Sequence, residues 1–157
     1  MTIKTTGAIG VSDINAEATF NINATRSLND TISRYIANIN SGTISLNDFY
    51  GKTLNKQNIN VTIAGHTTDL NLRNLAIGNG WNQIAPLNLV VTINGGIIVG
   101  SSSIYSYAID TGDSYPNGST LTIYNYGYIT GRGGDGGGAG RSFAGDPGGP
   151  ALLARVR

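Results

Sequence analysis

The sequence contains no cysteine, one histidine (His66) and one tryptophan, and only 12% of its 157 residues are charged. The missing cysteines exclude disulfide frameworks, zinc ribbons, iron–sulfur sites and thiol catalysis together. Ten Lys and Arg against nine Asp and Glu leave a net charge of +1. These charges are scattered without a basic stripe, which argues against a nucleic-acid partner. Apolar runs are a few residues long, so no insertion into a membrane is expected. Lys4 is followed by no apolar stretch, so the first residues carry no Sec export signal. What the chain does have is 23 Gly, 18 Asn and 16 Thr, together with 19 Ile and eight Tyr. That much apolar surface does not fit a wholly disordered chain. The expectation is a water-soluble, mainly β protein of one ordinary domain or two small ones.

Composition divides the chain into three regions: 1–53, with helix signals; 54–130, strand-like and nearly uncharged; and 131–157, dominated by glycine. In the first, Gly7-Ala8-Ile9-Gly10-Val11-Ser12-Asp13-Ile14 and Gly42-Thr43-Ile44-Ser45-Leu46-Asn47-Asp48-Phe49 share the pattern G-x-I-x-x-(S/N)-D-(I/F). The tetrapeptide Ser-Leu-Asn-Asp occurs at 27–30 and 45–48, and each copy reads as a capping box. The copy at Ser27 predicts a helix from Asn29 to Asn40, ended by Gly42. Its apolar face carries Ile32, Ile36 and Ile39 at helical spacing, and these three are the candidate docking residues. The copy at Ser45 meets Tyr50-Gly51 almost at once and predicts a single turn.

Period-2 alternation governs the middle region. Strands are expected at 60–63, 69–75, 87–93, 97–99, 104–107 and 121–124, separated by Asn79-Gly80, Asn94-Gly95-Gly96 and Pro116-Asn117-Gly118. Val91-Thr92-Ile93…Gly100 and Leu121-Thr122-Ile123…Gly131 share (V/L)-T-I…G…I-(V/T)-G, with Val61-Thr62-Ile63 as a partial first copy. Spacing and repeat together indicate a β-sandwich or a solenoid-like stack.

Motifs for site chemistry fail on their surroundings. Gly51-Lys52-Thr53 ends like a P-loop, but position 46 is Leu where the motif needs Gly. Gly131-Arg132-Gly133-Gly134-Asp135-Gly136 matches G-x-G-x-x-G, but the glycines that follow are the poorest available helix formers. His66 and Asp69 lack the serine elbow of a triad and the companions of a metal site. No catalytic, cofactor-binding or metal-ligating residue is assigned.

Six of the eight tyrosines lie between Tyr105 and Tyr128. Alternation places Tyr124, Tyr126 and Tyr128 on one strand face, as a cross-strand ladder or as a platform on which sugar rings stack. The segment from Gly131 to Gly149 reads either as a linker or as polyproline-II-like strands packed side by side through glycine. In the second case Arg132, Asp135, Arg141 and Asp146 fall at turns and Gly137 within the packed part.

Two stretches resemble bacteriophage tail-fibre and baseplate proteins. One is Gly7-Ala8-Ile9 with Ser12-Asp13-Ile14, and Ser41 to Gly51, of the form S-G-x-I-S-x-x-D-x-Y-G. The other is Leu121 to Gly137, which is similar to the entry into the glycine-motif domains of phage fibre-tip adhesins. The resemblance implies a non-enzymatic virion tail protein, made in the host cytoplasm, with no cofactor. Residues 1–53 would be a small α/β docking region, 54–130 a β-rich domain and 131–157 a polyglycine-II-like distal segment. Its implied partners are other tail or baseplate proteins, further copies in a homotrimer, and a host receptor, either a glycan or an outer-membrane protein. A carbohydrate-binding or depolymerase-type fibre module is the alternative. Tip adhesins carry more glycine motifs than this chain, so their receptor loops are not transferred residue by residue.

Overall fold

A computed structural model describes residues 2–18, 25, 27–137 and 145–155. Strand outweighs helix, 26% against 18%, so the chain is mainly β. It forms two compact units. One comprises Met1–Gln57, Asn82–Asn88 and Tyr115–Thr120; the other comprises Asn58–Trp81, Leu89–Ser114 and Leu121–Arg157.

The first unit is built on the G-x-I-x-x-(S/N)-D-(I/F) repeat. Helix α1 (Val11–Glu17) and the 3-10 turn Leu46–Phe49 each follow an extended residue, Gly10 (φ −114°) and Ser45 (φ −113°). In each copy the Asp carboxylate accepts the N–H of that residue, Asp13 from Gly10 at 2.9 Å and Asp48 from Ser45 at 2.7 Å. The opening glycines match as well, Gly7 at φ 86° and Gly42 at φ 89°. The closing apolar residues, Ile14 and Phe49, are both fully buried. A repeat in sequence is therefore a repeat in backbone conformation, and both copies deliver one large side chain to the same core. The Tyr50 hydroxyl, just beyond the second copy, donates to the Gly7 carbonyl of the first.

Helix α2 runs over Thr31–Ala37, shorter than expected. Asp30, not Ser27, is its N-cap, accepting the Ser33 N–H at 2.7 Å. It ends at Asn38, which takes the left-handed conformation (φ 60°) before Gly42 is reached. Asn tolerates that conformation better than most residues. Ile36 is buried with Ile3, Ile9, Ile14, Phe49 and Leu54, and Ile32 and Ile39 pack against this core.

Among the described residues, nine strands build three sheets, most of their length in the second unit. β1 (Gln57–Ile63), β4 (Leu87–Ile93) and β7 (Thr120–Asn125) form the first. β2 (Thr67–Thr68), β5 (Ile98–Gly100) and β8 (Tyr128–Thr130) form the second, and β3 (Leu70–Asn71), β6 (Ile109–Asp110) and β9 (Leu152–Leu153) the third. Each sheet takes every third strand, and the second and third are parallel throughout. In the first, Gln57 N–H meets Pro86 O at one end and Asn94 N–H meets Ile63 O at the other, so β1 and β4 also run the same way. One strand per sheet makes a coil, and three coils are stacked. This is the parallel pairing of a solenoid-like stack, whereas sandwich strands pair antiparallel. The repeated (V/L)-T-I lies on β1, β4 and β7, so the sequence repeat is the coil.

The middle coil is covered on both sides, and its inward residues Leu89, Val91, Ile93, Val99 and Ile109 are fully buried. In the third coil, Leu121, Ile123 and Ile129 are half-buried. Burial falls off with the loss of one neighbour, as expected of a one-dimensional array.

One expected strand is cut to two residues and another is absent. Of residues 69–75, only Leu70 and Asn71 pair, and helix α3 (Leu72–Gly78) follows. The Asn71 side chain caps it by accepting the Asn74 N–H at 2.9 Å, and Leu72 and Ala76 bury at a spacing of four. Residues 104–107 form a loop, because serine side chains satisfy its backbone locally. Ser101 Oγ bonds Ser106 O at 2.9 Å, and Ser103 N–H bonds Ser106 Oγ at 3.1 Å.

Candidate functional site

The connections between the second and third sheets lengthen from coil to coil. Asp69 alone joins β2 to β3, residues 101–108 join β5 to β6, and residues 131–151 join β8 to β9. The glycine-rich stretch is therefore a connection within the third coil, and the chain returns to the stack as β9.

The first two connections are tied together. Asp69 has a positive φ of 52°, and its Oδ1 accepts the Ser102 N–H at 3.0 Å and the Ser106 hydroxyl at 2.8 Å. Bonds from Ser102, through its side chain and backbone, and from the Ser106 hydroxyl hold the Asp69 carboxyl below the usual carboxylate range. Tyr105 crowns this connection at 87% exposure.

The third connection leaves and returns as two antiparallel arms, 131–137 and 145–150. Asp146 N–H donates to Asp135 O at 2.9 Å, and Gly149 N–H donates to Arg132 O at 2.7 Å. The two bonds are three residues apart on both arms. Backbones approach so closely that a Cβ on Gly131 would lie 1.9 Å from Gly149 O, and one on Gly134 would lie 1.9 Å from Asp146 O. The arms rest on the shorter connection at Ile104, 2.8 Å from where a Gly149 Cβ would be. Arg132 reaches Ser102 O at 3.1 Å, and Arg132 and Asp135 line a depression of about 330 Å³ with Ser102, Ser103 and Ile104. Gly137 is exposed in the outgoing arm; Arg141 lies outside the described residues.

The returning arm is fastened beyond β9. Arg155 places Nε 2.9 Å from Asp110 Oδ1 and an NH2 nitrogen 3.0 Å from Oδ2, with Asp113 3.8 Å away. The Arg155 guanidinium holds the Asp110 carboxyl below its ordinary range, and Asp110 in turn raises Arg155. This clamp had no signature in sequence. The contact glycines did have one: Gly131 and Gly134, like Gly145 and Gly148, are spaced by three.

The three tyrosines do not share one strand face. Gly127 turns the chain, so Tyr124 lies in β7, Tyr126 at the corner and Tyr128 in β8. A Cβ at Gly127 would lie 2.2 Å from Ile97 O, which only glycine permits. All three are exposed, at 52%, 69% and 61%. In the first unit, Tyr35, Ile36, Asn38, Lys52 and Thr53 line a depression of about 400 Å³. Among the described residues, no helix is long and apolar enough to cross a membrane, and no three His, Cys, Asp or Glu cluster as metal ligands would.

The coils thus send successively longer connections out of one corner, the longest from the third coil. The family model for phage tail fibre adhesin Gp38 matches residues 58–157, which contain nearly all of this stack and the whole glycine-rich connection. The chain belongs to the phage tail fibre adhesin Gp38 family. It is thus a tail fibre protein of the adhesin class, and its place is the virion tail. No curated protein and no solved structure matches the chain.

Proposed function

We propose that this chain works at the host-facing part of a tail fibre and adsorbs the phage to a surface receptor through the glycine arms. The observation that carries this reading is the pair of arms itself, in the segment matched by the adhesin family. Bonds repeating every third residue follow the three-residue turn of polyproline II, whereas a β ladder repeats at every second. The arms are thus a two-strand piece of polyglycine-II-like packing. Exposed Arg132, Asp135 and Gly137 are the candidate receptor contacts, with Arg141 as a further candidate from sequence.

Residues 1–53 are the docking region toward other tail or baseplate proteins and residues 54–130 the β-rich body; within 131–157 the arms are the distal part, while β9 returns to the stack. Ile32, Ile36 and Ile39 support docking from beneath, by holding α2 on the core. The depression beside them, with Tyr35, Asn38 and Lys52 at its surface, is the face a tail partner would meet. A homotrimer suits a chain with so few charges, because obligate assemblies bury uncharged surface between copies. The role is binding, without catalysis or a cofactor.

Competition tests this reading. Purified chain, added to host cells before phage, should lower adsorption in proportion to its concentration. Undiminished adsorption at saturating chain would refute it.

A further inference from the structure

The depression in the first unit carries a charge that the fold leaves unanswered. Tyr35, Ile36, Asn38, Lys52 and Asn55 are among its lining residues, and Lys52 is the only charged one. Ile36 is buried, whereas Tyr35, Asn38 and Asn55 are exposed. Lys52 is half-buried and its backbone is pinned on both sides. Its N–H donates to Phe49 O at 3.0 Å and its carbonyl accepts the Ile3 N–H at 2.8 Å. The preceding Gly51 N–H donates to Lys4 O at 3.0 Å. The ammonium therefore extends from a fixed stretch of chain.

The carboxylates of this unit are committed elsewhere. Asp13 accepts the Gly10 N–H and pairs with Lys4 at 3.1 Å. Asp30 and Asp48 accept the N–H groups of Ser33 and Ser45. Glu17 is buried and accepts the Leu54 N–H at 2.8 Å. Arg34 directs its guanidinium to the Asn29 side chain and to the carbonyls of Ile39 and Gly42. Among the described residues, Lys52 and Lys56 meet no carboxylate. An ammonium in water needs no partner, but one covered by a docked protein does, because burying a charge is costly unless it is paired. Docking over this depression therefore demands an anion from the occupant.

We propose that the depression receives an Asp or Glu side chain of the tail or baseplate protein that holds this chain, with the carboxylate against Lys52 Nζ and an adjoining apolar residue against Tyr35 and Ile36. This rests on the reading of residues 1–53 as the docking region and adds to it the chemistry of the partner. Asn38 and Asn55 supply neutral amide donors, so the site offers one full charge, as a carboxylate requires. Phosphates are met by arginine forks or by free backbone N–H groups. No arginine lines the depression, and the N–H groups of Gly51 and Lys52 are already bonded. The lining residues of α2 lie at its C-terminal end, where the helix dipole weakly opposes an anion, but Arg34 sits in the same last turn and offsets it.

Carbodiimide cross-linking of purified particles tests this, because the reagent joins an amine to a carboxylate in direct contact, forming an amide and taking up the water released. Mass spectrometry should find Lys52 joined to an Asp or Glu of another tail protein. The Lys4–Asp13 pair, 3.1 Å apart within this chain, is the positive control. Lys52→Met should lower incorporation into particles about tenfold, read by immunoblot, while Lys52→Arg keeps the charge, stays within about twofold and loses the cross-link. Thermal unfolding at the wild-type temperature shows that each variant folds. Wild-type incorporation of Lys52→Met overturns the proposal. So does a Lys52 cross-link that is missing or that reaches only another copy of this chain. Asn55→Trp separates this from the docking reading, since it fills the depression and leaves Lys52 in place. Reduced incorporation of Asn55→Trp beside normal Lys52→Met keeps the docking face and loses the acidic partner; normal incorporation of both loses the docking face as well.

Discussion

Arg155 grips both carboxylate oxygens of Asp110 from 45 residues away in sequence, at 2.9 and 3.0 Å. The pair fastens the end of β9 to β6, where Leu152 and Leu153 lie in register with Ile109 and Asp110. Bidentate pairing of this kind is stronger and more directional than an ordinary surface ion pair.

Asp110→Asn should therefore lower the unfolding temperature and speed amide exchange at Leu152 and Leu153. The acid dependence has a defined sign. Arg155 depresses the carboxyl of Asp110 in the folded chain, so its stabilisation is present above the ordinary Asp value of about 3.9. It is lost as pH falls through the depressed value. The Tm gap between wild type and Asp110→Asn should be constant between about pH 5 and 7 and close at lower pH. A gap that persists in strong acid would show that the clamp is not what the variant removes.

The glycines of the arms should divide sharply. Gly134→Ala places a methyl group 1.9 Å from Asp146 O, whereas Gly136→Ala meets nothing within 4 Å. The first should separate the arms and abolish competition for adsorption; the second should leave competition within about twofold of wild type, since exposed substitutions away from contacts are nearly neutral. Equal behaviour of the two in the competition assay would mean that the arms are not a packed pair.

At the corner between β7 and β8 the same contrast tests the stack. Gly127→Ala sets a Cβ 2.2 Å from Ile97 O, while the Cβ of Gly95→Ala would sit 3.8 Å from Tyr126 O. Urea titration should find the midpoint strongly lowered in the first and little changed in the second. If Gly127→Ala unfolds at the wild-type midpoint, the corner does not lie where it is placed here.

Burial and docking can be separated in the first unit. Ile36 is 3% exposed, so Ile36→Ala should cost about 2–5 kcal/mol of stability, read from denaturant unfolding. Lys52→Glu alters the depression beside α2 without touching the core. It should leave unfolding unchanged and reduce incorporation into tails, measured by immunoblot of purified particles. Normal incorporation of Lys52→Glu would take the docking face away from that depression.

Sequence made the stack readable where one rule acted alone. From Leu87 to Ile93, alternation has no competitor, and β4 forms as expected with every second residue buried. From Leu70 onward two rules compete. Alternation lasts two residues, then the Asn71 cap and the Leu72–Ala76 spacing win and a helix forms. Ile104-Tyr105-Ser106-Tyr107 has strand-like side chains, yet the serines offer its backbone local bonds that composition does not reveal. Tyr124, Tyr126 and Tyr128 keep alternating across Gly127 on paper, because periodicity cannot see a corner. The glycine arms were visible as packing-competent chain, but which glycines touch depends on where the chain turns back. Asp110 with Arg155 was illegible: only the closure of the third coil brings them together.

The longest connection leaves from β8 in the second sheet and returns to β9 in the third. A virion held by its fibre experiences drag, and a pull at the arms enters the body through two different ladders. Neither can be peeled open from one end by itself, because tension drawn through Thr130 is shared with the segment at Leu152, and the Arg155 guanidinium holds the chain just behind that second anchor. On the reading proposed above, the arms are thus suited to bear load as well as to make contact.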